Sequence, residues 1–287
     1  MKAWAKINLT LDILGKRPDA YHNLASVMQS LCLHDTLVIQ KHPKQGLIKL
    51  ICEADLPPDE GNLVYRAAQL LLSEYNILTG LTIKLDKKIP IAAGLAGGSS
   101  DCAAALLGIN TLLDLGLSQK QLLDIGRKLG ADVPFCLMSG ASGATALAEG
   151  IGDILTPIPC HPKVSIVLVH PRVFVSTKDV FSAYTACEKI GSNHKSADML
   201  KALTSRKIDK VATSLGNELA STAIAMHPEI GAIITALQKQ KALGVNMSGS
   251  GPTVFAYFSS EKLAQMAINY IRHKFPDCDT YCTKPKN

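Results

Sequence analysis

The sequence predicts a two-domain α+β protein, and three observations support that prediction. Strand-like and helix-like segments alternate through the first 155 residues, three prolines within residues 156–162 mark a linker, and a second set of strands and helices follows. With 287 residues, 47% of them hydrophobic, the chain is long enough for about two cores. We therefore expect an N-terminal domain over residues 1–157 and a C-terminal domain over residues 158–287.

Strands and helices can be assigned in order along the first domain. Four segments carry β-branched or alternating apolar side chains, which are typical of strands. They lie at residues 7–13, 37–40, 48–52 and 82–85. Asn62 opens a helical stretch, and an Ala- and Leu-rich helix is predicted over residues 101–113. Ser118 and Gln121 form a capping-box pattern for a third helix, which Gly130 ends.

The second domain contains the same mixture of elements. A strand begins it at residues 164–169, and further strands are predicted at residues 251–258 and at the C-terminus. Four segments have the apolar periodicity of helices. They lie at residues 178–189, 197–203, 228–239 and 261–273.

Composition narrows the class of protein before any motif is considered. The net charge of +6 favours an anionic ligand without identifying one. The eight cysteines are scattered, and only Cys278 and Cys282 are close in sequence, so we expect reduced structural thiols. The longest uncharged stretch, residues 242–260, contains three glycines, four serines and a proline, which excludes a spanning helix there. Without a secretory or transit pattern near Met1, a cytoplasmic protein is expected.

The strongest functional signal is a loop rich in glycine and serine that lies between a strand-like segment and a helix. Glycines let backbone N–H groups converge on an anion, and a helix N-terminus adds partial positive charge, which suits a di- or triphosphate. A tight turn with serine caps is the alternative, but it needs fewer glycines. The serine hydroxyls of Ser99 or Ser100 could also bind Mg²⁺. The predicted phosphate site comprises Pro90, Gly94, Leu95, Ala96, Gly97, Gly98, Ser99 and Ser100.

This loop does not match the common nucleotide-binding motifs. No G-x-x-x-x-G-K-[ST] or G-x-G-x-x-G occurs, and the H-R-D and D-F-G motifs of protein kinases are also absent from the sequence. A second glycine cluster, at residues 244–253, precedes an apolar strand and could be a hairpin loop. The presence of two such loops suggests instead that both line one pocket for an anionic ligand, with Gly249, Ser250 and Gly251 in a supporting role.

Three further side chains could be catalytic or structural. Asp132 follows a helix-ending glycine and precedes Pro134, so it suits a helix cap as well as a general base. Lys6 lies in an apolar strand, where a lysine either faces solvent or is buried because it has a functional role. His22 could equally be an ordinary polar loop residue.

These segments together resemble the GHMP kinases, a family named for galactokinase, homoserine kinase, mevalonate kinase and phosphomevalonate kinase. Residues 90–100 are similar to the family's phosphate-binding motif, and residues 248–253 to its C-terminal glycine motif. The resemblance implies a two-domain α+β fold with the active site in the interdomain cleft, and it implies ATP and Mg²⁺. Here Ala92, Ala93 and Ala96 stand where the family often has glycine; alanine keeps the N–H group but disfavours positive φ.

A finer resemblance implies the acceptor and the catalytic residues. It rests on residues 5–9, 15–17 with 19–22, 130–134 and 148–152. These segments are similar to the branch of the family that phosphorylates the 2-hydroxyl of cytidylylated methylerythritol in the non-mevalonate isoprenoid pathway. Asp132 would accept the hydroxyl proton, while Lys6 would hold that carboxylate ionised and orient the hydroxyl.

The same resemblance implies which residues bind the acceptor. Asn8 would support the hydroxyl, Tyr21 and His22 would stack on and hydrogen-bond the cytosine, and Thr177 would lie near the substrate. The partners are small molecules, with no nucleic acid, membrane or protein partner implied. One alternative is another small-molecule member, of the homoserine or mevalonate type, whose substrate carries no cytosine. Another is an RNA-binding module, which the lack of a basic stripe interleaved with aromatic residues disfavours.

Overall fold

The computed structural model describes residues 1–19, 21–186 and 194–287. Its strands are β1 (Lys2–Asn8), β2 (Thr10–Lys16), β3 (His22–His42), β4 (Ile48–Cys52), β5 (Gly80–Asp86), β6 (Thr145–Gly150), β7 (Ile154–Pro157), β8 (Ser165–Pro171), β9 (Gly216–Asn217), β10 (Gly244–Met247), β11 (Val254–Phe258) and β12 (Cys278–Thr283). Its helices are α1 (Leu63–Glu74), α2 (Gly97–Leu112), α3 (Gln119–Leu129), α4 (Val133–Ser139), α5 (Thr177–Ala186), α6 (Ser196–Ser205), α7 (Ile208–Thr213), α8 (Ala220–Met226), α9 (Pro228–Gln238) and α10 (Glu261–Lys274). The predicted α+β class is confirmed.

The chain forms two compact units whose segments alternate along the sequence. The first unit comprises Met1–Ala5, Leu33–Ile91 and Ala96–Gly143. The second comprises Lys6–Cys32, Ala92–Leu95 and Ala144–Asn287. Because these units are not separated by a single cut in the sequence, the domain boundary expected between residues 157 and 158 stays a prediction.

The first unit combines strands of a mixed sheet with four helices. β4 pairs with β5 in parallel, and β5 pairs with the second half of β3 in antiparallel fashion. Leu81, Ile83 and Leu85 alternate along β5 and are all buried, as expected for side chains on one face of a strand. Helix α1 packs on α2, and α4 packs on α2 and α3.

Two of the helix starts predicted in the first unit are confirmed, and one is shifted. The Asn62 side chain accepts the Val64 N–H and caps α1. Ser118 and Gln121 form both hydrogen bonds of the capping box at α3. Helix α2, however, begins at Gly97 and not at residue 101, because the glycines and serines of the loop form its first turn.

In the residues that the structure describes, the second unit contains strands of two sheets and the remaining helices. In one sheet β2 pairs with β3 and β9, β3 pairs with β6, and β6 pairs with β7. The other sheet is antiparallel, with strand order β10-β11-β8-β12, and α9 and α10 pack against it. All residues of the inner strands β8 and β11 are buried. This packing gives the unit one continuous apolar core.

The strand boundaries differ most from the sequence prediction in three places. Residues 7–13 belong to two strands, because the chain breaks at Leu9, whose N–H bonds to the Val27 carbonyl. β3 extends over 21 residues where only 37–40 were predicted, since buried polar residues such as Ser26 and Gln29 interrupt its apolar pattern. β7 includes the first two residues of the predicted linker. Residues 187–189 of the helix predicted at 178–189 lie outside the described residues.

Within the described ranges, no single helix is long and apolar enough to cross a membrane. Helices α8 and α9 meet the length and composition requirements only as a pair, and they are bent by 119° at the break between them.

Candidate active site

The predicted phosphate loop has an unusual backbone conformation. Ala92, Gly94 and Ala96 adopt positive φ angles of 54°, 72° and 55°. A β-carbon on Gly94 would lie 2.5 Å from the Ser248 carbonyl oxygen and 2.8 Å from that of Gly251. Glycine is therefore required at position 94, because a β-carbon there would clash with these carbonyl oxygens. The two alanines, by contrast, adopt a backbone conformation that their β-carbons disfavour.

Helix α2 presents free backbone donors at the end of this loop. The Ser100 N–H already bonds to the Ala96 carbonyl, at 2.8 Å, whereas the N–H groups of Gly97, Gly98 and Ser99 have no intrahelical acceptor, because that carbonyl is the first one of the helix. The Ser100 hydroxyl is buried and donates to the Trp4 carbonyl. Ser99 is partly exposed, so its hydroxyl is the better placed of the two for a phosphate-bound cation.

The positive φ angle of Ala96 predicts an effect of substitution on stability. We expect Ala96→Gly to raise the free energy of unfolding by about 0.5 kcal/mol, because glycine adopts positive φ without the steric penalty of alanine. The control is Ala232→Gly, at an exposed position inside α9, which should lower it by about 1 kcal/mol. Urea unfolding of both variants measures the difference; equal destabilisation of the two would contradict the argument.

Residue 94 of the first glycine-rich loop lies beside the second glycine-rich loop, while the expectation that both loops line one anionic pocket stays a prediction. The Ser248 hydroxyl donates to the Gly94 carbonyl at 3.0 Å and accepts the Asn8 N–H at 3.2 Å. The Lys6 N–H donates to the Leu95 carbonyl at 3.0 Å. The backbone of β1 is therefore tied to the tip of the phosphate loop both directly and through Ser248.

Side chains from outside the second glycine loop hold it in place. The Asn217 side-chain N–H groups donate to the carbonyls of Met247 and Gly249, both at 2.8 Å. The hydroxyls of Ser250 and Thr177 lie 2.8 Å apart, which joins the loop to the start of α5. The predicted substrate residue Thr177 is itself exposed.

Lys6 is buried in a chain of hydrogen bonds. Only 4% of the residue is exposed, and its ammonium group donates to Asn8 Oδ1 at 2.7 Å. Asn8 Nδ2 donates to the Ser26 hydroxyl at 2.7 Å, which in turn donates to the Thr10 carbonyl at 2.7 Å. The solvated alternative for Lys6 is therefore wrong, and the amide of Asn8 has one defined orientation.

Asp132 directly precedes α4 in the first unit. Its backbone is helical, with φ −84° and ψ −12°, and its carboxylate makes no capping hydrogen bond to that helix. Preferred capping residues have extended backbone and bond the second or third N–H of the helix. The geometry thus removes the capping explanation and leaves a partly exposed carboxylate.

His22 lies at the start of β3 and packs against an aromatic ring. It is 7% exposed, and its ring centroid lies 5.2 Å from that of Phe181 in α5. Burial, together with the nearby Lys16 ammonium, lowers the pKa of His22 and so favours the neutral ring, in which one nitrogen donates and one accepts. Tyr21 beside it is 62% exposed. Ala20, within the segment that carries the resemblance, lies outside the described residues.

Sequence reasoning missed three side chains that support these groups. Ser26 and Ser248 are buried polar residues within strand and loop segments, and Phe181 packs on the histidine. The position of Ser248 within the predicted glycine motif, residues 248–253, is a usable signal. Nothing local distinguishes Ser26 or Phe181, because their partners lie far away in sequence.

Comparison with known protein families defines the class of this protein. The family model "GHMP kinases N terminal domain" matches residues 62–140, and "GHMP kinases C terminal" matches residues 199–277. The chain belongs to the GHMP kinase family and is an ATP-dependent small-molecule kinase. Its fold is similar to a crystal structure of homoserine kinase from Cytophaga hutchinsonii, with a TM-score of 0.74, 20% identity, and coverage of 100% of this chain and 96% of that one.

More similar proteins share a more specific name. 4-Diphosphocytidyl-2-C-methyl-D-erythritol kinase from Acetivibrio thermocellus is 43% identical over 97% of this chain and 96% of its own length. The protein of that name from Pelotomaculum thermopropionicum is 45% identical over 94% of this chain and 93% of its own. A crystal structure of 4-(cytidine 5'-diphospho)-2C-methyl-D-erythritol kinase has a TM-score of 0.83 and 31% identity, with both chains fully covered.

Proposed function

We propose that this kinase transfers the γ-phosphoryl group of ATP to the 2-hydroxyl of 4-diphosphocytidyl-2-C-methyl-D-erythritol, in the non-mevalonate route to isoprenoid precursors. Relatives named for that acceptor match nearly the whole chain. The structural observation that supports it best is the buried His22, its pKa lowered by burial, packed on Phe181 with exposed Tyr21 beside it. An aromatic surface beside a ring with one donor and one acceptor is complementary to a pyrimidine base.

Asp132 and Lys6 are proposed as the catalytic pair. The acceptor hydroxyl attacks the γ-phosphorus, a new O–P bond forms, the bond from that phosphorus to the bridging oxygen breaks, and the proton passes to the Asp132 carboxylate. The Lys6 ammonium orients the hydroxyl and offsets negative charge at the reacting oxygens. Asn8 fixes Lys6 through Oδ1 and retains a second amide N–H for the acceptor hydroxyl.

The loop from Pro90 to Ser100 is proposed as the phosphate site. The N–H groups of Gly97, Gly98 and Ser99 lie at the N-terminus of a 16-residue helix, where partial positive charge favours an anion. When bound with the nucleotide, Mg²⁺ would neutralise phosphate charge, and Ser99 is the loop hydroxyl that could reach it. Gly249, Ser250 and Gly251 support the loop through the contacts of Ser248 with Gly94.

Localisation and partners follow from the same proposal. We infer a cytoplasmic enzyme that acts on two small molecules and needs no nucleic-acid, membrane or protein partner for this reaction. The mild net charge and the lack of a basic, aromatic-rich stripe in the sequence support this inference.

The experiment is ADP release by the purified protein with Mg-ATP and a panel of acceptors. The cytidylylated methylerythritol should be turned over, while methylerythritol 4-phosphate, mevalonate, homoserine and galactose should not, because they lack the base that we propose Tyr21, His22 and Phe181 to bind. Turnover of one of the other acceptors in preference would reject the proposed substrate. ADP release with no acceptor selectivity would reject the role of His22 in recognition.

A further inference from the structure

Three charged side chains form a buried cluster at the base of the phosphate loop. The Lys87 ammonium lies 2.5 Å from Asp35 Oδ2 and 2.7 Å from Asp101 Oδ2. The side chains of Lys87, Asp35 and Asp101 are 7%, 0% and 3% exposed. All three belong to the first unit, where Asp35 lies in β3, Lys87 follows β5, and Asp101 lies near the start of α2.

Asp35 holds the chain where it enters the loop. The backbone pairing of β3 with β5 ends with Thr36 opposite Asp86. Beyond this point Asp35 Oδ1 accepts the N–H groups of Lys88 and Ile89, the latter at 2.8 Å. The carboxylate therefore continues the hydrogen bonding of the sheet up to the residue before Pro90.

Lys87 joins this entry point to the exit of the loop. Its ammonium bridges to Asp101, and a β-carbon on Gly97 would lie 3.1 Å from Lys87 Nζ and 3.1 Å from Ile89 Cγ2. The first turn of α2 is thus packed directly on the residues that precede the loop. Entry and exit of the loop are held together by one ion-pair cluster.

The cluster is electrostatically costly, which argues for a role other than stability. It contains two carboxylates for one ammonium, and Asp101 Oδ1 is buried without a hydrogen-bond partner among the described residues. Burial raises the pKa of Asp101, because it disfavours the charged carboxylate that Lys87 stabilises; burial also opposes the charge of Lys87, but the two carboxylates raise its pKa overall. Buried ion pairs are often no better for stability than apolar side chains of similar volume.

We propose that Lys87 is a positioning residue for the nucleotide. Its ammonium holds the two ends of the phosphate loop together and does not itself contact a phosphate. This inference rests on the proposed function and deepens it. With the loop closed, the free N–H groups at Gly97, Gly98 and Ser99 keep one fixed arrangement for the triphosphate. Without the bridge, the unbalanced carboxylates separate the entry of the loop from the start of α2.

The test is a mutant cycle on Lys87 and Asp101, read as the KM for ATP, the KM for the acceptor, and the Kd for ADP by calorimetry. Lys87→Met should raise the KM for ATP and the Kd for ADP by about 10-fold or more, since small displacements of a positioned site are costly. The KM for the acceptor should not change. The double variant Lys87→Met/Asp101→Asn should recover most of the nucleotide affinity, because one excess buried charge is gone.

The matched control is Lys88→Met. Lys88 is adjacent in sequence, but its ammonium is exposed and lies 3.7 Å from Asp86 at the surface, so nucleotide binding should be unchanged. If Lys87 were a direct phosphate ligand, the double variant would bind ADP no better than Lys87→Met. That result, or unchanged ADP binding in Lys87→Met, would overturn the proposal.

Two further readouts keep the test decisive. If Lys87→Met does not fold, Lys87→Arg replaces it, because this variant keeps the positive charge but changes its position. Weaker ADP binding by Lys87→Arg with unchanged stability would support the positioning role. ADP binding as tight as that of the wild type would overturn it. Failure of the proposed function is seen separately, because wild-type protein would then bind ADP but give no turnover with the cytidylylated acceptor.

Discussion

Asp132→Asn should lower kcat by ~10²-fold or more, because the amide cannot accept the proton of the acceptor hydroxyl. The KM for ATP should change little, since the proposed phosphate site is formed by the loop and the start of α2. No helix cap is lost with this substitution, because the Asp132 carboxylate makes no capping hydrogen bond to α4. Loss of activity without loss of stability is the signature of a chemical role, and steady-state kinetics with urea unfolding measures both.

The control for this variant is Asp124→Asn. Asp124 lies on α3 and forms an exposed ion pair with Arg127 at 2.6 Å, so its substitution removes the same charge without approaching the site. Exposed pairs contribute about 0–1 kcal/mol, and kcat should remain at the wild-type value. If Asp132→Asn keeps wild-type kcat, another group accepts the proton and the assignment of the base fails.

Lys6→Met should lower kcat by ~10²- to 10³-fold, the effect of removing one preorganised electrostatic group from a reacting centre. Its effect on stability is expected to stay within about 1 kcal/mol, because two changes oppose each other. Removing a buried charge stabilises the fold, while Asn8 Oδ1 loses the donor that lies 2.7 Å away. The measurement is kcat and KM for both substrates, together with the free energy of unfolding.

Lys2→Met is the matched control on the same strand. Lys2 is exposed and lies over the Trp4 ring, 5.3 Å from its centroid, so it contributes charge at the surface only. Its kcat should equal that of the wild type. If Lys6→Met lowers kcat no more than Lys2→Met does, the buried ammonium has no part in the reaction.

Parts of the site that depend on neighbouring residues could be predicted from the sequence. The phosphate loop is one example, since its glycines, its serines and the helix that follows are contiguous from Gly94 to α2. The cap at Asn62 and the capping box at Ser118 are others, because both hydrogen bonds join residues two or three positions apart. Such features depend on local dihedral angles and short-range hydrogen bonds, which a few residues determine.

The supporting network was decided by the tertiary structure alone. The Ser248 hydroxyl accepts a hydrogen bond from the N–H of Asn8, which is 240 positions away in the sequence, and the Lys87 ammonium pairs with Asp35, which is 52 positions away. Periodicity also failed along β3, where polar side chains such as Ser26 are buried because distant residues satisfy their hydrogen bonds.

The sequence by itself thus predicted the chemical groups that we propose for the reaction: the loop donors, the lysine of β1 and the carboxylate of Asp132. Only the folded chain decided which of them are buried, what orients them and which lysine is already paired with carboxylates. The physical reason is that burial and long-range pairing depend on how whole strands and helices pack, and no short stretch of residues encodes that packing.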